Sequence, residues 1–292
     1  MIPLQLKKPV KQYAWGRPAA VNFIMGGAGA GVYLFSFFQA FMRSGSAFVS
    51  ESLPFGLISP LLIIIGFLCL AIEAGRPLRG CFVFRHPRQS WISRETLACC
   101  IFIPSALLDY VLPHPAIRLL AVAAALVLLI SQGFIVYRAR AVTAWNVPII
   151  PILFLTSSLA SGYGLLLLLI ALGGLYPDQS MSIIGLIFTG TNLVMWFVYL
   201  FWSRSPHFFS ATQTLRRSHA LILTVGLGHI VPLLLLLLLL LPQGFIIEPS
   251  MPFIAAMSGT LLFIGGAGQK AGIIISTGYF RGIELSVEQS ER

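Results

Sequence analysis

Eight apolar runs, each close to the roughly 20 residues that an α-helix needs to cross a bilayer core, commit this chain to an all-α membrane architecture. They fall at about 17–42, 54–73, 95–112, 116–137, 147–174, 182–202, 218–241 and 251–276. Soluble domains are about half apolar and a quarter charged. This chain is 57% hydrophobic and 10% charged, and its few charges lie mostly between the runs. The first run follows Lys7, Lys8 and Lys11 but exceeds the roughly 7 to 15 apolar residues of a secretory signal, so it reads as a retained helix.

The formal net charge of +10 would suit a nucleic-acid binder, but its distribution suits a membrane. Eight crossings put both termini on one side with the loops after spans two, four and six. That side takes seventeen of the 19 basic residues, Lys270 among them, and leaves Arg43 and Arg118 opposite. The positive-inside rule then places both termini in the cytoplasm. Cys69, Cys81, Cys99 and Cys100 show no metal-binding spacing and read as small apolar side chains.

Two glycine phrases, "FIMGGAGAGVYLFS" from Phe23 and "FIGGAGQKAGIIIS" from Phe263, resemble phosphate loops. Neither follows a strand, and neither supplies the Gly-Lys-Ser/Thr of a nucleotide loop. Gly27 and Gly31, and likewise Gly268 and Gly272, are four apart, which makes a small face for close helix packing. The first phrase also aligns without gaps on "FLTSSLASGYGL" from Phe154, with Gly26 over Ser157, Gly27 over Ser158 and Gly31 over Gly162. Span five follows span one by four, so the echo suggests a first half at 17–140 and a second at 147–276, each of four helices, followed by a cytoplasmic tail at 277–292.

The loops on the basic side are dense in specific residues. After span two comes "EAGRPLRGCFVFRHPRQSWISRE", Glu73 to Glu95, and after span four "YRARAVTAWNVPIIP", Tyr137 to Pro151. Arg76, Arg79, Arg85, Arg88 and Arg94 with Trp91 form a proline-stiffened basic patch suited to a soluble partner or, with no specificity, to anionic lipid.

Taken in order, several motifs resemble the NrfD/PsrC family of polysulfide-reductase-type membrane subunits. They are Trp15 ahead of the glycines of span one, the "GRPLR" turn at Gly75 to Arg79, and the "PRQSWISR" loop at Pro87 to Arg94. "WNVP" at Trp145 to Pro148 and "LFLTSSLASG" from Leu153 complete the set. The resemblance covers about the first 165 residues and implies an eight-helix anchor that binds quinone or quinol, menaquinone or ubiquinone. It implies electron exchange with a ferredoxin-like iron–sulfur subunit and, through that subunit, with a molybdenum-containing catalytic subunit. No haem or iron–sulfur cluster is expected in this chain, and the basic face with Trp145 is the expected docking surface.

The family's head-group position near the partner-facing end of the first helix maps onto Asn22, with Trp15 close by in sequence. Where relatives carry a tyrosine in the fourth helix, this chain has Ser131 and Gln132. Glu73, at the end of span two, fits either a proton carrier or an ion-pair partner of Arg76 one turn on. His229, near the middle of span seven, is the other proton-transfer candidate. Asp109 and His114, at the opposite face, read as helix caps. An eight-helix secondary transporter is the rival reading.

Overall fold

The computed structural model describes residues 4–6, 11–12, 15–44, 55–73, 82–241, 250–279 and 283–285. Eight helices stand where the apolar runs lie. They are α1 (Arg17–Ser44), α2 (Ile58–Glu73), α3 (Trp91–Val111), α4 (Pro115–Tyr137), α5 (Ile150–Leu172), α6 (Gln179–Leu200), α7 (Ser218–Leu239) and α8 (Met251–Ser276). Seven of these are long and apolar enough to cross a membrane, and α2, at 16 residues, is shorter. The chain is a multi-pass membrane protein.

Local chemistry sets the helix ends. The Ser90 hydroxyl accepts from Ser93 N–H at 3.3 Å, which starts α3 at Trp91, a full turn before the expected boundary. His114 Nδ1 accepts from Ala116 N–H ahead of Pro115, so the capping role expected of His114 is found. Asp178 caps α6 by accepting from Met181 N–H at 2.8 Å.

The helices turn apolar side chains outward and polar ones inward. Leu61, Leu68 and Ile72 on α2, Ile187 and Val194 on α6 and Leu234 on α7 are exposed, whereas Asn22, Glu95, Gln132, His229 and Lys270 are buried. Lipid meets the first set; the second has to be satisfied by the protein itself.

Helix α1 packs along α2, α4, α5 and α8, and α5 packs along α4, α6 and α8. At the α1–α5 contact, a Cβ on Gly31 would stand 2.9 Å from Gly162 Cα, and a Cβ on Gly27 would stand 3.1 Å from Ser158 Cβ. These are the residues that the internal sequence echo aligns. Gly268 and Gly272 do not serve as the expected backbone-packing face, for they look onto the side chains of Leu223, Thr224 and Leu215. In α8 the close backbone approaches belong to Gly265, which meets Gly228 of α7, and to Gly259, which meets Gly164 of α5.

At the end remote from the arginine loops, Arg118 Nε donates to both oxygens of Asp109 at 3.1 Å, and Tyr33 OH donates to Asp109 Oδ2 at 2.9 Å. Asp109 is therefore no helix cap, and Arg118 is a buried ion-pair partner joining α3 to α4, not an outer-surface charge. The all-α class has one addition: β1 (Leu4–Leu6) pairs antiparallel with β2 (Ile283–Leu285), Leu4 opposite Leu285. Lys11 bridges to Tyr279 on the same path. Within the expected cytoplasmic tail at 277–292, Ile283–Leu285 thus pairs with the amino terminus.

Candidate functional site

Asn22, Glu95 and Gln132 converge inside the first four helices. Asn22 Nδ2 donates to Glu95 Oε1 at 3.4 Å, and Gln132 Nε2 donates to the same oxygen at 3.2 Å. All three residues are 2% exposed or less. A carboxylate oxygen only accepts, so both amide nitrogens turn toward it and both amide oxygens turn away. Asn22 Oδ1 and Gln132 Oε1 then lie buried with no hydrogen-bond donor. Asn22 Oδ1 is aimed at α2, where Gly66 leaves room: a Cβ there would stand 3.2 Å from it.

Helix geometry gives the depth. Asn22 is five residues into α1, Glu95 four into α3 and Gln132 five before the end of α4. At 1.5 Å per residue, each lies roughly 6 to 8 Å from the helix ends that carry the arginine loops.

Lys270 of α8 reaches the opposite flank of α1. Its Nζ donates to Phe23 O and to Ser158 Oγ, both at 2.7 Å, and it is 1% exposed. Gln132 Nε2 also lies 3.5 Å from Asn22 O, so two consecutive carbonyls of α1 receive donors from α4 and α8. Gly26 and Gly27 make both approaches possible. A Cβ on Gly26 would stand 2.6 Å from Gln132 Nε2, and one on Gly27 would overlap Lys270 Nζ. The glycine phrase is thus a bare strip of helix across which two polar side chains lie. Lys270 is thus a buried residue and not one of the surface charges of the basic side.

Of the other sequence candidates, Ser131 is buried with its hydroxyl unpartnered and makes no bond to the cluster. Trp15 stacks on Trp145 with ring centres 5.1 Å apart and lies 5.8 Å from Phe23. Glu73 accepts from the Gly16 backbone N–H just ahead of α1, an anion at a helix N-terminus. Arg76 and Arg79 lie outside the described residues.

On the arginine face, Trp91 is half-buried, not exposed: it stacks on Phe134 at 4.3 Å beneath the Arg94 guanidinium. Arg94 in turn donates to Pro87 O at 2.9 Å and to Arg88 O at 2.7 Å, which pins the loop. Arg85 and Arg88 are exposed, with Arg85 over the Phe82 ring. Trp145 is 2% exposed and donates to Ile273 O at 2.8 Å, so it braces the loop from inside and is no surface contact.

His229 belongs to a second network. It sits in a π-helical stretch, Ile222–Ile230, where Nδ1 meets Thr224 O at 2.5 Å. A carbonyl only accepts, so Nδ1 carries the proton and Nε2 is free to accept from Asn192 Nδ2 at 2.9 Å. Asn192 Nδ2 also donates to Gln269 Oε1 at 3.0 Å, and Thr156 Oγ1 donates to Asn192 Oδ1 at 3.1 Å.

Glu95 is the functional candidate that the sequence did not yield. Its place at the mouth of an apolar run read as the end of a loop. The "SWIS" cap at Ser90 was the available signal, because it moves the helix start back and Glu95 inward.

No curated protein matches the chain. A family model described as polysulphide reductase, NrfD, matches residues 6–112, which include Asn22, Glu73, Trp91 and Glu95; this part of the chain is similar to the family that its motifs resemble.

Proposed function

We propose that this chain is the quinone-binding membrane subunit of a respiratory oxidoreductase complex, exchanging electrons with an iron–sulfur subunit seated on the arginine face. One observation carries the reading: a buried carboxylate–diamide cluster with two unpaired acceptor oxygens, a short way below that face. A quinol head group carries two hydroxyl donors, and buried polar atoms without partners are costly unless a ligand or water meets them. Asn22 and Gln132 accept from those hydroxyls, and Glu95 holds the two amides in position. The bound quinol supplies two electrons and two protons. Exposed Arg85 and Arg88 give the docked partner a basic surface, and the family match supports association with other oxidoreductase subunits. A molybdenum-containing subunit beyond the iron–sulfur partner completes the assembly.

Topology supports the same reading. Termini that pair with each other fit an even number of crossings, which is reached when α2 is counted with the seven longer helices. With Arg85, Arg88, Arg138 and Arg140 on the termini side, the positive-inside rule puts that face in the cytoplasm of a prokaryotic inner membrane.

The rival transporter reading starts from the Thr156–Asn192–His229–Gln269 network, which lies nearer mid-membrane. None of its side-chain polar atoms is buried without a partner, so it offers a substrate no vacant hydrogen-bonding group.

The test is to tag the chain, extract native membranes in mild detergent, and identify what co-purifies. A stoichiometric iron–sulfur subunit with a quinone-sensitive paramagnetic signal is expected. Recovery of the chain alone, from a preparation that preserves other membrane complexes, would overturn the proposal.

A further inference from the structure

We propose that Glu95 sets which redox form of the quinone the site prefers, by fixing the direction in which the Asn22 and Gln132 amides face; this rests on the quinone reading above. As a carboxylate, Glu95 accepts from both amide nitrogens through Oε1 and leaves Asn22 Oδ1 and Gln132 Oε1 as bare acceptors. Acceptors bind the hydroxyls of a quinol and have nothing to offer the carbonyls of a quinone. Once protonated, the carboxyl becomes a donor. Its O–H is then met by one amide oxygen, that amide rotates, and its N–H2 turns outward to donate to a quinone carbonyl. The residues that meet the ligand stay the same while the sign of the site reverses.

The exchange balances with a single proton. Replacing quinol by quinone takes up one proton at Glu95, and the reverse exchange releases it. Rotation of an amide needs no backbone movement. It is confined to Asn22 and Gln132, because these two alone hydrogen-bond to Glu95 Oε1 among the described residues.

Among the described residues, Glu95 is the ionisable side chain that hydrogen-bonds to the two amides. On its own helix, Cys99 lies one turn on, and Arg94 faces outward to the loop carbonyls of Pro87 and Arg88. Helix α4 contributes the neutral Gln132, with Tyr137 at its carboxy-terminal end. Helix α2 presents Gly66, and its Glu73 is held by Gly16 N–H at the start of α1. From α8, Lys270 lies across α1 and spends its bonds on Phe23 O and Ser158 Oγ, so it touches neither amide.

The test is equilibrium binding of a short-tailed naphthoquinone, and separately of its anaerobic quinol, to the complex purified through a tag on this chain, from about pH 5.5 to about pH 8.5. In the wild type, the preference for quinone over quinol should rise as pH falls, by up to about tenfold per pH unit where one proton is coupled. Glu95→Gln should abolish that slope and Glu95→Asp should keep it. A wild-type preference that is flat with pH, or a Glu95→Gln slope equal to the wild type's, overturns the proposal. Binding of neither form to the wild type sinks the quinone reading itself. Should Glu95→Gln fail to assemble, proton uptake by the wild type on exchanging bound quinol for quinone decides the matter. About one proton per site is expected, and none overturns the proposal.

Discussion

Lys270 Nζ donates to Phe23 O at 2.7 Å across 247 residues of sequence, and Gly27 is the position that leaves room for it. A buried ammonium is costly unless its hydrogen bonds are made. Here the bare face of α1 and the Ser158 hydroxyl of α5 make two of them, so α8, α1 and α5 are held at one point.

Gly27→Ala should therefore destabilise the protein by about 1–3 kcal/mol, because its methyl group falls where Lys270 Nζ and Ser158 Oγ now sit. Thermal unfolding in detergent gives the measurement. Combined with Lys270→Ala, the same substitution should cost much less than the two single losses added together, since the clash with the side chain is gone. Simple additivity would show that the two residues do not share this contact.

Asn22→Leu and Gln132→Leu should each slow quinol-driven electron transfer by about tenfold or more, equivalent to about 1.4 kcal/mol or the loss of one hydrogen bond to the ligand. Partner subunits should stay attached, because both side chains are buried away from the arginine face. Steady-state reduction of the partner's clusters by quinol reports the effect. Unchanged rates in both variants would leave the cluster a structural feature of the bundle.

His229→Leu separates the two polar networks. It removes the acceptor for Asn192 Nδ2, which keeps only Gln269 Oε1, so a stability loss of about 1–3 kcal/mol is expected with little change in quinol oxidation. Paired measurements of unfolding temperature and rate check it. A large rate loss at unchanged stability would instead return His229 to the proton route.

Much of this was legible in the sequence, and what was not has definite causes. The helices follow from apolar runs long enough to span a bilayer, whereas Asn22 and Gln132 were reached through the family resemblance, at the positions that match the head-group residues of relatives. Glu95 was hidden because hydropathy averages over a window and places a boundary at a charge, whereas Ser90 capping sets the real one a turn earlier. Lys270 sits in the last two turns of α8, where a positive charge ordinarily means a cytoplasmic flank, and the carbonyl of Phe23 and the hydroxyl of Ser158 show it facing inward. Trp145 sits among loop residues, and its burial depends on Ile273 and Trp15, which are remote in sequence. Glycine spacing identified Gly27 and Gly31 as packing positions, but it misplaced the face in α8, because the partner there is fixed by Gly228 of α7.

Charge reversal on the arginine face should separate docking from support. Arg85→Glu and Arg88→Glu replace exposed side chains, so the fold should be unaffected while the partner dissociates at lower salt than from the wild type. Co-purification across a series of salt concentrations measures this. Arg94→Glu should behave differently. Its guanidinium donates to Pro87 O and Arg88 O and covers Trp91, so its loss should loosen the loop and lower the unfolding temperature as well.

Arg118→Met tests the far end of the bundle, where no redox function is assigned. Asp109 would keep the Tyr33 hydroxyl but lose both bonds from Arg118 Nε, leaving a buried carboxylate without its counter-charge. Breaking a buried pair in this way costs about 3–5 kcal/mol, whereas replacing both partners with apolar groups of similar volume is often neutral. Arg118→Met should thus unfold at a markedly lower temperature, and Arg118→Met with Asp109→Leu should recover most of the loss. Quinol oxidation by the double variant should equal the wild-type rate, because Asp109 closes the far end of α3 and Glu95 lies in its second turn. A double variant as unstable as the single one would mean that Tyr33 and the rest of the α3–α4 junction depend on the charges themselves.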